Sequence, residues 1–188
     1  MEQSKLIPFL RTDLHILFVG LNPAKGSSDN GHYFSVKQSF WKQLHSSGLI
    51  IQCLDKSNAD DLVFGSKSYN YNNWNFGITD LVTEYAESDS KKVKPTIKDY
   101  QRLENVVRKY KPLTVVLLHG SVLNGVMKYL HYSVPKSNTG SLGKLIGDIP
   151  TTFFNIAFPH GNSISDLHKI EIYNQLKEHI KKQYQSAI

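Results

Sequence analysis

The sequence contains one cysteine, Cys53, and no long apolar segment. A single cysteine excludes an internal disulfide, fits a reducing compartment and cannot hold a four-cysteine iron–sulfur cluster. No stretch approaches the roughly 20 apolar residues of a membrane helix, and the first residues lack the apolar core of a signal peptide. We therefore expect a cytoplasmic protein without a membrane span.

Motifs of several common enzyme classes are missing as well. The chain has no Gly-x-Gly-x-x-Gly, Walker or Gly-x-Ser-x-Gly pattern, and residues 140–143 lack the lysine-bearing frame of a phosphate loop. The eight histidines are scattered without the spacing of metal ligands. His15 and His119 lie beside apolar runs, where we expect their rings to be hydrogen-bonded at strand ends. We expect no metal and no redox cofactor.

The net charge and the length of the chain narrow the possible class of protein further. Lys and Arg total 22 against 16 Asp and Glu, a net charge of +6. This bias favours encounters with polyanions, although a basic protein of another kind would have it too. The chain has 188 residues, within the range of one domain and long enough for a sizeable core. We expect a single domain over residues 1–188 and a monomer.

Short apolar runs rich in β-branched residues alternate with segments of helical period. This alternation predicts a three-layer α/β/α sandwich with a mostly parallel central sheet of about four strands. Thr96 and Asp99 resemble a capping box, and Pro112 marks the exit of the same helix. Residues 87–95 are interpreted as an exposed loop, which is either a solvated run of charges or a contact with phosphates. The predicted strands are 15–21, 76–80, 114–119 and 152–158, and the predicted helices are 39–47, 97–110, 121–130 and 165–184.

A polar side chain, Asn22, follows the first predicted strand, and ligands bind at the carboxyl ends of strands in open α/β sheets. Three motifs occur in order along the chain. The first joins Gly20-Leu-Asn-Pro to Gly31-His-Tyr-Phe34 and Phe40-Trp41, the second is Phe76-Gly-Ile-Thr-Asp-Leu-Val82, and the third is Phe158-Pro-His-Gly-Asn-Ser-Ile-Ser165.

Together these motifs resemble the uracil-DNA glycosylase superfamily, and its mismatch-specific uracil/thymine branch most closely. That branch has Gly-Ile-Asn-Pro-Gly, an aromatic residue twelve positions after the Asn, and then Arg-Phe-Trp; Phe34 stands twelve after Asn22. The resemblance runs from about residue 15 to about residue 175. This chain departs from the pattern at Ala24, at Ser39 and at residues 161–163, where the family has Pro-Ser-Gly or Pro-Ser-Pro.

The resemblance implies a role for each matched residue. Asn22 would hold the attacking water, His160 would donate a hydrogen bond to the departing base, and Phe34 would stack on the extruded base. Asn22 and His160 would lie at the carboxyl ends of two adjacent strands and face one cleft. The other implied contacts are Gly20, Leu21 and Asn162 with the substrate, and Ser163, Ile164 and Ser165 with DNA, Ile164 acting as a wedge.

Each role has a plainer structural alternative. Asn22 caps the turn before Pro23, Phe34 packs in the core, His160 is a loop residue, and Ile164 anchors a helix. The resemblance favours a monofunctional DNA glycosylase that releases uracil or another deaminated or mismatched base in base excision repair. The alternatives are a glycosylase-like protein that binds nucleic acid or a nucleotide without cleavage, and an enzyme that acts on small nucleosides or nucleotides.

Overall fold

The computed structural model describes residues 2–136 and 140–185. Its strands are β1 (Glu2–Gln3), β2 (Ile16–Gly20), β3 (Phe76–Asp80), β4 (Tyr85–Ala86), β5 (Thr114–Leu117), β6 (Gly140–Gly143) and β7 (Thr152–Asn155). Its α-helices are α1 (Lys25–Asn30), α2 (Ser39–Ser46), α3 (Ala59–Phe64), α4 (Ile97–Tyr110), α5 (Gly120–Tyr129) and α6 (Asp166–Gln185).

The central sheet has five strands in the order β3-β2-β5-β7-β6. The first four are parallel, and β6 pairs antiparallel with β7. These four parallel strands are the predicted ones, so the mixed α/β fold with a mostly parallel sheet is confirmed. The fifth, β6, was not predicted because its sequence Gly-Ser-Leu-Gly has one apolar side chain and no strand period.

Two apolar layers cover the faces of the sheet, because successive side chains of a strand point to opposite faces. Ile16 and Phe18 of β2 pack with α2, α3 and α6 on one face, whereas Leu17 and Val19 pack with α4 and α5 on the other. All five residues of β2 are buried. Burial on both faces explains why the parallel strands appear in the sequence as continuous apolar runs.

The four predicted helices begin and end close to the predicted residues, whereas the six-residue helices α1 and α3 were not predicted. The backbone N–H of Thr96 donates to Asp99 Oδ2 at 2.7 Å, and the reciprocal capping box is present, so α4 starts at Ile97. It ends before Lys111, which has a left-handed φ of 43°. Among the residues that the structure describes, no helix has both the length and the apolar character needed to cross a membrane.

Three strands end earlier than predicted: β2 by one residue, at Gly20, and two others by more. β5 ends at Leu117 and not at residue 119, and β7 ends at Asn155 and not at residue 158. The apolar sequence continues in both cases, but pairing stops as the chain turns away from the sheet. His119 and Phe158 therefore lie in loops at the carboxyl edge.

Candidate active site

A cleft of about 870 Å³ lies at the carboxyl edge of the sheet. Residues that follow all four parallel strands line it: Leu21 to Ala24 after β2, Asp80 at the end of β3, His119 after β5, and Phe158 and His160 after β7. In open α/β sheets this edge is where ligands bind. The cleft is large enough for a nucleobase with its sugar.

Most of the residues suggested by sequence resemblance line this cleft. They are Gly20, Leu21, Asn22, Phe34, His160, Asn162 and Ile164. Ser163 and Ser165 are exposed and are not among its lining residues. The Ser165 hydroxyl accepts a hydrogen bond from the backbone N–H of His168 at 3.2 Å, at the start of α6.

One expectation about their arrangement is wrong. Asn22 follows β2 and His160 follows β7, but β5 lies between these strands, so they are not adjacent. Two strand spacings separate the strand ends by about 10 Å. A base-sized ligand spans that distance, and both residues line the same cleft.

The side chain of Asn22 is fixed by two backbone carbonyls. Its amide nitrogen donates to the carbonyl oxygens of Pro23 at 2.9 Å and of Glu87 at 2.8 Å. Only the NH₂ end of the amide donates hydrogen bonds, so these partners determine the orientation of the group. The remaining atom, Oδ1, is the end that can accept a hydrogen bond from water.

Phe34 lies between the apolar core and the cleft. Its ring is stacked on that of Phe40, with centroids 4.0 Å apart and planes inclined by 23°. Phe40 is only 1% exposed, whereas Phe34 is half-buried and lines the cleft. Phe34 has φ of +53°, an uncommon value for a bulky residue, and the indole N–H of Trp41 donates to its carbonyl at 3.3 Å. Such strained positions cluster at functional sites.

The turn that carries His160 is closed by Asn162. The Asn162 amide nitrogen donates to the carbonyls of Phe158 at 2.7 Å and His160 at 3.2 Å, and its Oδ1 accepts from the N–H of Ile164 at 3.1 Å. Gly161 has φ of +74°, a conformation that favours glycine. Residues 161–163, which depart from the family pattern, thus form a turn that the hydrogen bonds of the Asn162 side chain close.

Two buried side chains donate hydrogen bonds to the residue that precedes His160 in the same turn. The carbonyl of Pro159 accepts hydrogen bonds from Gln43 at 2.9 Å and from the ammonium of Lys169 at 3.2 Å, and both donors are buried. Burial lowers the pKa of His160, and the charges of Lys37 and Lys169 lower it further. The imidazole is therefore neutral at neutral pH and can donate one hydrogen bond.

The rim of the cleft carries positive charge and an exposed apolar side chain. Lys37 and Lys136 line the cleft and are exposed. Ile164 is 38% exposed at the same edge, so it is not buried as a core anchor. These groups suit contact with phosphates and with a base stack, respectively.

Sequence reasoning missed Asp80, the last residue of β3. Its carboxyl lines the cleft but is only 5% exposed, and burial raises its pKa to about 7. Asp80 lies in the second motif. An acidic residue that ends an apolar, fully buried strand is the signal that could have identified it.

Two further groups of the cleft were also missed. His119 accepts a hydrogen bond from the N–H of Ser121 at its Nδ1, at 3.1 Å, which assigns the ring proton to Nε2; burial lowers its pKa. Glu87, Ser88 and Ser90 line the cleft; their segment was predicted to be an exposed loop that is either solvated or in contact with phosphates. Pairing of β4 with β1 and the N–H of Glu87, which donates to Pro23 O at 2.9 Å, bring this segment there.

One cluster in the described residues has the composition of a metal site. The ligand atoms of His32, Asp60 and Asp61 lie within 4.8 Å of one another. However, His32 Nδ1 is 2.9 Å from Asp60 Oδ1, and Asp60 Oδ2 accepts from the N–H of Tyr33 at 2.7 Å. These bonds anchor the loop that precedes Phe34.

Two comparisons relate this chain to known proteins. A search of curated proteins finds no significant match to the chain. The family model of the uracil DNA glycosylase superfamily matches residues 7–177, which include all of the cleft-lining residues named here. With its parallel sheet, its cleft at the carboxyl edge and this match over most of its length, the chain belongs to the uracil DNA glycosylase superfamily.

Proposed function

We propose that the protein is a monofunctional DNA glycosylase that hydrolyses the N-glycosidic bond of uracil or another deaminated or mismatched base, and that it resembles the mismatch-specific branch in mechanism. The observation that carries this proposal is the convergence of Asn22, Phe34 and His160 on one cleft at the carboxyl edge of the sheet. Superfamily membership supports DNA as the substrate.

Binding begins with extrusion of the base. Removal from the stack costs a few kcal/mol, of which stacking on an aromatic ring returns roughly 1 to 3 kcal/mol. Phe34 is the aromatic side chain at the right place, because Phe40 supports it from the core side. Ile164 enters the gap that the base leaves, and the lysines of the rim contact phosphates.

Hydrolysis adds water to the sugar carbon as the bond to the base breaks. Asn22 Oδ1 accepts a hydrogen bond from the water and orients it, but a neutral amide does not take its proton, which passes to solvent. The base leaves as an anion, and the neutral His160 donates a hydrogen bond to the oxygen on which charge develops. Because orientation replaces general-base catalysis, we expect slow turnover.

An oligonucleotide panel tests the proposal. Duplexes that contain uracil, hypoxanthine, xanthine or thymine mismatches are incubated with excess protein, and abasic sites are cleaved with alkali. We expect abasic product from uracil, and a loss of about 100-fold or more in the Asn22→Ala variant with little change in duplex affinity. Borohydride should trap no covalent adduct; a trapped adduct would contradict the monofunctional mechanism.

The second candidate function is nucleic-acid binding without cleavage. The turn at 161–163 favours this candidate. Hydrogen bonds within the turn occupy the Asn162 side chain, to which the resemblance assigns contact with the substrate. Duplex affinity with a steep salt dependence and no abasic product from any duplex would support this candidate. An enzyme for small nucleosides should show almost no salt-dependent duplex binding.

A further inference from the structure

A second groove, of about 670 Å³, lies at the amino edge of the sheet, opposite the candidate active site. The segments that precede β2 and β3 and the last turns of α6 form its walls. Ile164, which lines the cleft, is just before α6, whereas Tyr184 lines the groove near the end of that helix. The 18 residues from Asp166 to Tyr184 span about 27 Å of helix, so the groove is separate from the cleft.

Three stacked rings line this groove. The His15 ring stacks on that of Trp74, with centroids 5.5 Å apart, and on that of Tyr184, with centroids 5.1 Å apart. Trp74 is only 6% exposed, whereas Tyr184 is 43% exposed. Among the residues that the structure describes, Tyr184 stacks on no other ring. The series therefore begins in the core and ends in a ring that a ligand can reach.

The middle ring of the series is held by the backbone and is uncharged. His15 Nδ1 accepts a hydrogen bond from the N–H of Asn75 at 3.1 Å. Burial lowers the pKa of His15, and the charge of Lys67 acts in the same direction, so the imidazole is neutral at neutral pH. Tyr184 thus has a fixed aromatic support on the core side.

Lysine side chains surround the rings. Lys181 and Lys182 line the groove, and the ammonium groups of Lys181 and Lys177 lie 5.3 and 5.5 Å from the centre of the Tyr71 ring. Glu178 is the one acidic residue among the described residues that line the groove, and it pairs with Lys181 at 2.7 Å. Exposed pairs of this kind contribute about 0 to 1 kcal/mol, so a bound anion can replace Glu178 at small cost. The groove therefore favours an anionic ligand.

We propose that this groove is a second nucleic-acid site, in which a single-stranded segment stacks a base on Tyr184 and places its phosphates at Lys181 and Lys182. Unpaired bases stack on aromatic side chains while basic side chains follow the backbone. A base inside a duplex already stacks on its neighbours, so only a single strand can use the ring. An acidic peptide would use the lysines but would not need Tyr184. The site does not depend on cleavage in the cleft.

Fluorescence anisotropy of a labelled single strand tests the proposal. The probe is an oligothymidylate of about eight nucleotides, within the usual site size of single-strand binders, and an oligouridylate of equal length distinguishes RNA from DNA. A saturating unlabelled duplex is present, because it occupies the cleft while its paired bases cannot stack on Tyr184. The test variants are Tyr184→Leu, Tyr184→Phe and the double variant Lys181→Gln with Lys182→Gln.

Two control variants match these changes elsewhere on the surface. Tyr132→Leu alters a tyrosine that is 44% exposed and lines neither the cleft nor the groove. The double variant Lys98→Gln with Lys109→Gln removes the same charge from exposed positions of α4. Both controls should bind the probe as the wild type does.

We expect the wild type to bind the probe beside the duplex, and Tyr184→Leu to weaken this binding about 10- to 100-fold, the effect of stacking one base. Tyr184→Phe should keep the affinity. The double variant at Lys181 and Lys182 should reduce the slope of log K against log salt by about 1.4, because two phosphate contacts of a single strand are lost.

Photocross-linking of the unaltered protein gives a readout that does not depend on the folding of a variant. A probe with 5-iodouracil should cross-link to Tyr184, and cross-links confined to residues of the cleft would overturn the proposal. Equal affinity of Tyr184→Leu and the wild type would also overturn it; combined with a loss in the lysine variant, that result would indicate a general site for polyanions such as acidic peptides. If the protein cleaves no base, the proposed function fails, whereas the binding at Tyr184 is still expected.

Discussion

Replacing Phe34 by Ala removes the platform on which the extruded base is expected to stack. The ring is stacked on Phe40 at 4.0 Å and lies edge-on to Trp41 at 6.1 Å. Phe40 and Trp41 are at most 1% exposed, so they remain in the core when Phe34 is truncated. The substitution therefore removes the exposed member of an aromatic cluster and leaves its support in place.

The expected loss follows from stacking energies. Aromatic stacking on a base contributes roughly 1 to 3 kcal/mol, and about 1.4 kcal/mol corresponds to a factor of ten, so the rate should fall about 10- to 100-fold. Truncation of a half-buried phenylalanine also costs about 2 kcal/mol of folding stability, less than the 3 to 5 kcal/mol of a buried one. For a chain of this size that lowers Tm by about 4 to 8 °C.

The assay is single-turnover cleavage of a uracil duplex at a temperature where every variant is folded. Phe9→Ala is the matched control, because Phe9 is half-buried and packs against the same core cluster but does not line the cleft. We expect Phe9→Ala to lower Tm and keep the rate, and Phe34→Tyr to keep both. If Phe34→Ala loses stability while its folded fraction cleaves at the wild-type rate, Phe34 is a core residue and the stacking argument is wrong.

Three further substitutions test the other groups of the cleft. Asn22→Asp should slow single-turnover cleavage at neutral pH, because a carboxylate would face the carbonyl oxygens of Pro23 and Glu87, which now lie 2.9 and 2.8 Å from the amide nitrogen; acceleration would contradict this geometry. His160→Ala should cost about 10-fold in the same assay, the effect of one hydrogen bond to a developing charge, and an unchanged rate would remove His160 from the mechanism. In urea unfolding, the stability of the Asp80→Asn variant relative to the wild type should be greater at pH 8 than at pH 5. Since the pKa of Asp80 is raised from 3.8 to about 7, wild-type stability falls as pH rises between these values, by at most about 4 kcal/mol; parallel curves for both proteins would show that the carboxyl ionises freely.

The sequence predicted the parallel strands because they are buried on both faces. Ile16–Gly20 is apolar and Phe76–Asp80 is mostly apolar, every residue of both is buried, and such short runs stand out between helical segments. The strands that sequence reasoning missed lack this signal: β1 and β4 have two residues each, and β6 has one apolar side chain. Strand ends were overestimated because hydrophobicity continues where pairing stops.

Only those residues of the site that lie in recognisable motifs could be predicted from the sequence. Asn22, Phe34 and His160 were selected by resemblance, and all three line one cleft. Asp80 lies in a motif too, but its place in the cleft depends on Gly20, whose lack of a side chain leaves room for the carboxyl across the sheet, and on burial of that carboxyl. Both properties arise from tertiary packing, which no local pattern contains. The order of β2, β5 and β7 is equally non-local, and for that reason the expected adjacency of Asn22 and His160 was wrong.

The distribution of charge in the cleft connects these residues to one chemistry. The two groups of its walls that we assign to the reaction, Asn22 and His160, are neutral, whereas the exposed rim carries Lys37 and Lys136. A cationic floor would hold the anionic product and a fixed anion would oppose its formation. Neutral donors that are already oriented by the protein favour charge as it develops on the base, since they need little reorganisation. The burial that lowers the pKa of His160 and keeps its ring neutral thus suits the cleft, in the proposed mechanism, to release a base as an anion.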